Sequence, residues 1–229
     1  MIFTNTITLI LALAPAAIFA APTRVSEALT KAIEDSNCDL SGLKMPIVTA
    51  PTPLPSPAPG LTLSHVAVGR GTQNYTCPQG NPQATPSAVG AIAELFNATC
   101  WTVRAPEVFA KSSAIALNYT TPTGPLADAY KSGHHLFTAA GVPWFVLNTD
   151  AHHYGDVQAK KNASSSAPAD AVLGSNGMGS VPWLKLNAVS GDYKEVYRLN
   201  TAGGQPPKTC AGYEGNFEVQ YAAEYWFWN

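Results

Sequence analysis

The sequence predicts a mainly β, single-domain fold, a β-sandwich or barrel with a short N-terminal helix. Three observations carry that expectation. From Phe217 to Trp228 apolar and aromatic residues alternate, with Phe217, Val219, Tyr221, Ala223, Tyr225 and Phe227 on one side and Glu218, Gln220, Ala222, Glu224, Trp226 and Trp228 on the other. A period of two is the signature of a strand with one face in the core. Short apolar runs recur upstream, at residues 61–68, 90–100, 114–119, 136–147, 183–189 and 195–200, mostly punctuated by Gly, Pro, Asn or Asp. Such spacing favours a sandwich or barrel. Hydrophobic residues make up 46% of the 229 and charged residues only 12%, enough to build a core without a structural metal.

The first element is an apolar run from Ile7 to Ala20, followed by Ala21-Pro22. At about 14 residues it is too short to cross a bilayer, which takes roughly 20, and it reads as a signal peptide over residues 1–20. Residues 21–60 hold a short amphipathic helix at Ser26–Asp35, lined by Val25, Leu29 and Ile33, and then a proline-rich stretch. Prolines at 46, 51, 53, 55, 57 and 59 exclude helix and central strand, leaving an extended segment. Residues 61–229 form the β-rich domain. In it, the shift of phase at Val66 and Val68 suggests a bulge or strand end. Residues 90–96 suit a strand or a helix equally.

Export gives two further features meaning. Asn74, Asn97, Asn118 and Asn162 each begin an Asn-x-Ser/Thr acceptor for glycosylation, Asn74 being the one expected to stay bare. The four cysteines, Cys38, Cys77, Cys100 and Cys210, suggest two disulfides. The pairing Cys77–Cys100 with Cys38–Cys210 is expected, the second tying the N-terminal appendage to the core. No C-x-x-C spacing supports zinc.

A net charge of −2 with no basic cluster argues against nucleic acid or an anionic membrane surface as partner. After cleavage of the leader no membrane segment is expected. No metal and no cofactor is expected. The adjacent pairs His134-His135 and His152-His153, with His65, raise a metal site, but neighbours on a strand point to opposite faces. Glu218 and Glu224 share a face roughly 20 Å apart at about 3.3 Å per residue, too far for a glycosidase pair at about 5–9.5 Å. No serine-hydrolase elbow occurs. Gly69-Arg70-Gly71 opens like a dinucleotide fingerprint, but Asn74 stands at the third glycine position and no βαβ unit surrounds it. Gly174–Gly179 reads as a loop.

Candidate ligand contacts are His135, Arg198, Trp226 and Trp228. Trp226 and Trp228 share the second face of the closing strand, where exposed indoles would stack on sugar rings unless another layer covers them. Arg198 lies in an otherwise apolar strand, and a buried guanidinium needs a carboxylate such as Glu224.

Several blocks carry a family resemblance. They are Gly69–Cys77 (GRGTQNYTC), Gly90–Phe96 (GAIAELF), Gly133–Phe137 (GHHLF), Val181–Leu186 (VPWLKL), Val196–Gly204 (VYRLNTAGG) followed by Cys210, and Tyr221–Phe227 (YAAEYWF). In that order, from about Pro53 to the end, the chain resembles DUF3455, a family of secreted fungal and bacterial proteins of unknown function. The resemblance implies that these blocks form one domain, and it supplies no catalytic residues. Members are often labelled malate dehydrogenase; the broken fingerprint argues against that activity here.

The expected function is a secreted glycoprotein, associated with the wall or released to the surroundings, that binds wall polysaccharide or a host extracellular component. The alternative is a secreted hydrolase or metal-dependent enzyme in which His135 works with Asp150 or Asp156.

Overall fold

The computed structural model describes residues 38–229. The leader and the helix expected at residues 26–35 lie outside them. The described chain is an eight-stranded antiparallel barrel in which each strand pairs with its sequence neighbour and β8 closes on β1. The strands are β1 (Leu63–Cys77), β2 (Ser87–Asn97), β3 (Lys131–Phe137), β4 (Pro143–Asn148), β5 (His153–Ser165), β6 (Trp183–Gly191), β7 (Glu195–Gly203) and β8 (Gly215–Trp228). Four short helices all fall between β2 and β3: α1 (Trp101–Arg104), α2 (Pro106–Phe109), α3 (Ser112–Leu117) and α4 (Pro125–Tyr130).

The alternation at the C-terminus holds. Tyr221, Ala223, Tyr225 and Phe227 of β8 point into the barrel with Ala67, Leu95, Phe145, Val157 and Val196. The closing seam is long, running from Leu63 opposite Trp228 to Cys77 opposite Gly215. Eight strands leave an interior just wide enough for side chains. Gly69 makes room within it: a Cβ there would lie 2.5 Å from the Tyr225 ring. Gly71 lets the backbones of β1 and β2 approach, since its Cβ would strike the Ile92 carbonyl. The apparent nucleotide fingerprint is therefore a packing device in mid-strand.

A second apolar cluster covers part of the outer wall. Met45, Ile47, Ala50 and Leu54 of the proline-rich segment, with Phe109 of α2, pack on Val66, Trp183, Tyr197, Leu199 and Trp226. Prolines offer carbonyls without matching N–H groups, so this strap is held by donors from the barrel. Tyr197 Oη donates to the Pro55 carbonyl at 2.9 Å, and Lys185 Nζ donates to that of Ser56 at 2.8 Å. Lys185 also pairs with Glu195 at 2.9 Å beneath the strap. Arg70, between the two glycines, points outward and fastens α3, its Nε donating to the Ala116 carbonyl at 3.0 Å.

The structure corrects two expectations here. The disulfides are Cys38–Cys100, which ties the start of the strap to α1, and Cys77–Cys210, which joins the end of β1 to the segment before β8. Loop-closure entropy rewards any long loop and cannot choose among pairings; the barrel does, by bringing Cα atoms to 5.6 and 5.7 Å. The run at 114–119, taken with the other short apolar runs as strand-like, belongs largely to α3. The ambiguous stretch at 90–96 is strand.

Candidate functional site

The four predicted ligand contacts divide between the two faces of the barrel wall. His135 points inward. It is buried, stacks on Phe145 at 4.2 Å between ring centres, and its Nδ1 donates to the Trp144 carbonyl at 3.1 Å. Burial pushes its pKa down to about 4, so the ring is neutral at physiological pH. Arg198 also points inward, beside Val196, with Nη2 donating to the Pro182 carbonyl at 2.9 Å. The two share the interior around Tyr225, whose ring lies 6.1 Å from His135 and whose hydroxyl is within reach of Arg198. Tyr225 and Tyr221 share a hydroxyl hydrogen bond of 2.8 Å.

The expected Arg198–Glu224 ion pair does not form. Leu199 pairs with Glu224 across β7 and β8, and Arg198 with Tyr225. Arg198 sits on the inner parity and Glu224 on the outer, so the wall itself separates them. Nor does a hydrolase pair assemble on His135. Asp156 lies on the outer face, accepting from Trp144 Nε1 at 2.7 Å, and Asp150 is exposed in the turn after β4.

Of the two alternatives the sequence left for Trp226, an exposed platform or a covered face, the structure shows the covered one. Only 3% of Trp226 is exposed, under the strap and edge-on to Phe109 at 5.7 Å. Trp228 is half-buried and lines a shallow recess with Cys38, Leu43 and Leu63. The cover comes from a segment too rich in proline to register as a packing layer in sequence.

The histidines do not converge. His134 is exposed, and His65 is buried at the other end of the interior, hydrogen-bonded to Ser132 Oγ at 2.8 Å and to Thr99 Oγ1 at 3.1 Å. Burial lowers its pKa to about 3. His152 bonds the Ala129 carbonyl at 2.9 Å. Among the described residues no group of three His, Cys, Asp or Glu is placed to hold a metal ion.

Two residues that sequence reasoning did not single out as a unit lie on the covered outer face. Glu224 has no exposed surface. Its Oε1 accepts from Asn200 Nδ2 at 2.8 Å and its Oε2 from Trp226 Nε1 at 3.1 Å. Burial still raises its pKa to about 7 against these two bonds. Asn200 adopts φ +44°, the left-handed region that costs a non-glycine residue of order 1 kcal/mol or more. One signal was present in the sequence: a carboxylate inside a strand whose two faces are both aromatic must be buried and hydrogen-bonded.

Asn200 stands between two cavities. One, of about 180 Å³, lies between the strap and Glu224 and is lined by Lys44, Thr102 and Phe109. The other, of about 300 Å³, opens beneath α3 and is lined by Lys111, Pro168, Asp170, Trp183 and Asn200. Lys111 and Asp170 are exposed at this cleft, whereas Trp183 is buried and its indole N–H has no hydrogen-bond partner.

Of the four glycosylation acceptors, Asn118 and Asn162 are exposed, and Asn74 and Asn97 are half-buried. Among the described residues no helix is long and apolar enough to cross a membrane. No curated protein and no solved structure matches the chain. The family described as "Protein of unknown function (DUF3455)" matches residues 57–229, from the strap through β8, and the chain belongs to that family.

Proposed function

We propose that the chain is an exported binding protein that takes a hydroxyl-rich ligand, a wall or host-surface glycan, in the cleft beneath α3. The observation that carries this reading is a cleft in which a cation, a carboxylate and an amide, from Lys111, Asp170 and Asn200, stand beside the Trp183 side chain. Lys111, Asp170 and Asn200 supply donors and acceptors together, the mixture that sugar hydroxyls need. At about 300 Å³ the cleft lies at the lower end for small-ligand sites. Export is supported by the two disulfides, which persist in oxidising compartments. A glycan surface built on Trp226 is not part of this reading, because the strap covers that residue.

The test is calorimetric titration of the purified protein with soluble wall oligosaccharides. Binding should weaken at least tenfold in Lys111→Ala and Asp170→Ala and stay unchanged in Trp228→Ala, which lies outside the cleft. No binding across the oligosaccharides, or equal binding by all variants, contradicts the proposal.

A further inference from the structure

An apolar groove of about 270 Å³ lies on the outer wall where the short helices meet β1 and β2. Val68, Phe96, Trp101, Val108 and Ile115 line it. Val108 and Ile115 stay 51% and 49% exposed. Aliphatic side chains left open together in one groove mark a contact surface. α3 separates this groove from the cleft beneath it: Ile115 and Ala116 line the groove, Lys111 and Ala114 the cleft.

The covalent structure beside the groove points to its occupant. The described chain starts at Cys38, whose disulfide holds it to Cys100 with 5.6 Å between Cα atoms. Cys100 directly precedes Trp101, so the chain enters the described structure at the rim of the groove. Just before that point the sequence predicts the amphipathic helix Ser26–Asp35, with Val25, Leu29 and Ile33 at four-residue spacing on one side. Only Ser36 and Asn37 separate it from Cys38, and two residues span at most about 7 Å.

Charge favours the same seat. Glu34 and Asp35 fall in the last turn of the predicted helix, where carboxylates oppose the helix dipole and a cation offsets them. Arg104 is exposed at the end of α1, one turn beyond Cys100. The recess around Leu61, Leu63 and Trp228 also adjoins Cys38, but its apolar residues are already half-buried and its charged lining residue is Asp39.

We propose that residues 25–35 dock as a helix in this groove, with Leu29 and Ile33 against Val108 and Ile115 and the acidic end at Arg104. Cys38–Cys100 is then the clamp that keeps the helix at the groove, and the docked helix braces α3 from the side opposite the cleft. This contact is independent of any ligand in the cleft.

The experiment is NMR of the full disulfide-bonded protein with Ile, Leu and Val methyl groups labelled. NOEs should join Leu29 and Ile33 to Val108 and Ile115. Amide hydrogen exchange across α3 should speed up about tenfold in the double variant Leu29→Asp, Ile33→Asp. Lys31→Glu, on the far side of the predicted helix, should leave that exchange unchanged. The wild-type NOEs are a readout even where the double variant fails to fold. Absence of those NOEs, NOEs to Leu61 and Leu63 instead, NOEs found only between differently labelled chains (a second copy in the groove), or equal exchange in the wild type and the double variant overturns the proposal.

Discussion

The inner and outer faces of one stretch of wall, where β7 meets β8, treat buried charge in opposite ways. Inside, Arg198 meets two neutral acceptors, the Pro182 carbonyl and the Tyr225 hydroxyl. Outside, one register step away, Glu224 meets two donors and no cation within hydrogen-bonding distance, and its proton is held to about pH 7. Lys185 and Glu195, also outside and under the strap, form a direct pair at 2.9 Å. The difference teaches that opposite charges close in sequence register need not meet in a barrel. Parity decides which side each takes, and a buried charge without an opposite one is met by hydrogen bonds or, for the carboxylate, by a proton.

The largest effects separate the cover from the barrel. Loss of Cys77–Cys210, which spans 133 residues, should cost up to about 5 kcal/mol by loop-closure entropy, and loss of Cys38–Cys100, spanning 62, about 4. Denaturant unfolding of the paired Cys→Ser variants measures both. Beyond stability, only loss of Cys38–Cys100 should loosen the strap and raise the fluorescence sensitivity of Trp226 to quenchers.

Breaking the paired charge should cost more than removing the unpaired one. Lys185→Met leaves Glu195 buried without its cation and should destabilise by about 3–5 kcal/mol. Glu224→Gln should instead change the pH profile. Its carboxyl titrates near 7 in the fold against 4.5 when unfolded, so the folded chain holds the extra proton between those values. Its contribution is complete below pH 4.5 and lost as pH rises to about 7, on the order of 3 kcal/mol. His65 and His135, near 3 and 4 against 6.5 unfolded, act the other way: stability is complete above 6.5 and falls as pH drops toward their folded values. Unfolding free energies from pH 4 to 8 should show Glu224→Gln removing the decline near pH 7 and steepening the acid-side loss, because the Glu224 and histidine contributions oppose each other between 4.5 and 6.5. A variant that steepens the decline breaks the contrast between the faces.

Smaller still is the inner packing test. Gly69→Ala places a Cβ against the Tyr225 ring and should cost about 1–3 kcal/mol, read by chemical denaturation. The smallest effect belongs to the open surface, where Asn118→Gln and Asn162→Gln should each remove one glycan by mass and shift stability by less than about 0.5 kcal/mol.

Much of the barrel was legible because parity is legible. The phase of β8 reads directly from Phe217 to Trp228, and it places Tyr225 inside and Glu224 outside. β5 escaped notice because Lys160, Lys161 and Asn162 face solvent and dilute its apolar residues. α3 looked strand-like because Ala114–Leu117 is too short a run to show a helical period. Register was not legible at all, and register decides the site. Without knowing that Leu199 pairs with Glu224, nothing in the sequence separates Arg198 from that carboxylate. The disulfide pairing failed, and the cover over Trp226 was assigned to no segment, for a related reason: both depend on where a proline-rich strap lies, and proline signals only what the segment is not.

The separation of the two buried charges can be read at one atom. ¹³C NMR titration of the Glu224 side-chain carboxyl, in the wild type and in Arg198→Met, reports whether that group faces a cation. With the charges on opposite faces, the midpoint lies near 7 in both proteins. A wild-type midpoint below the ordinary 4.5 that climbs when Arg198 is removed would mean that the two residues share one face, and would contradict the account.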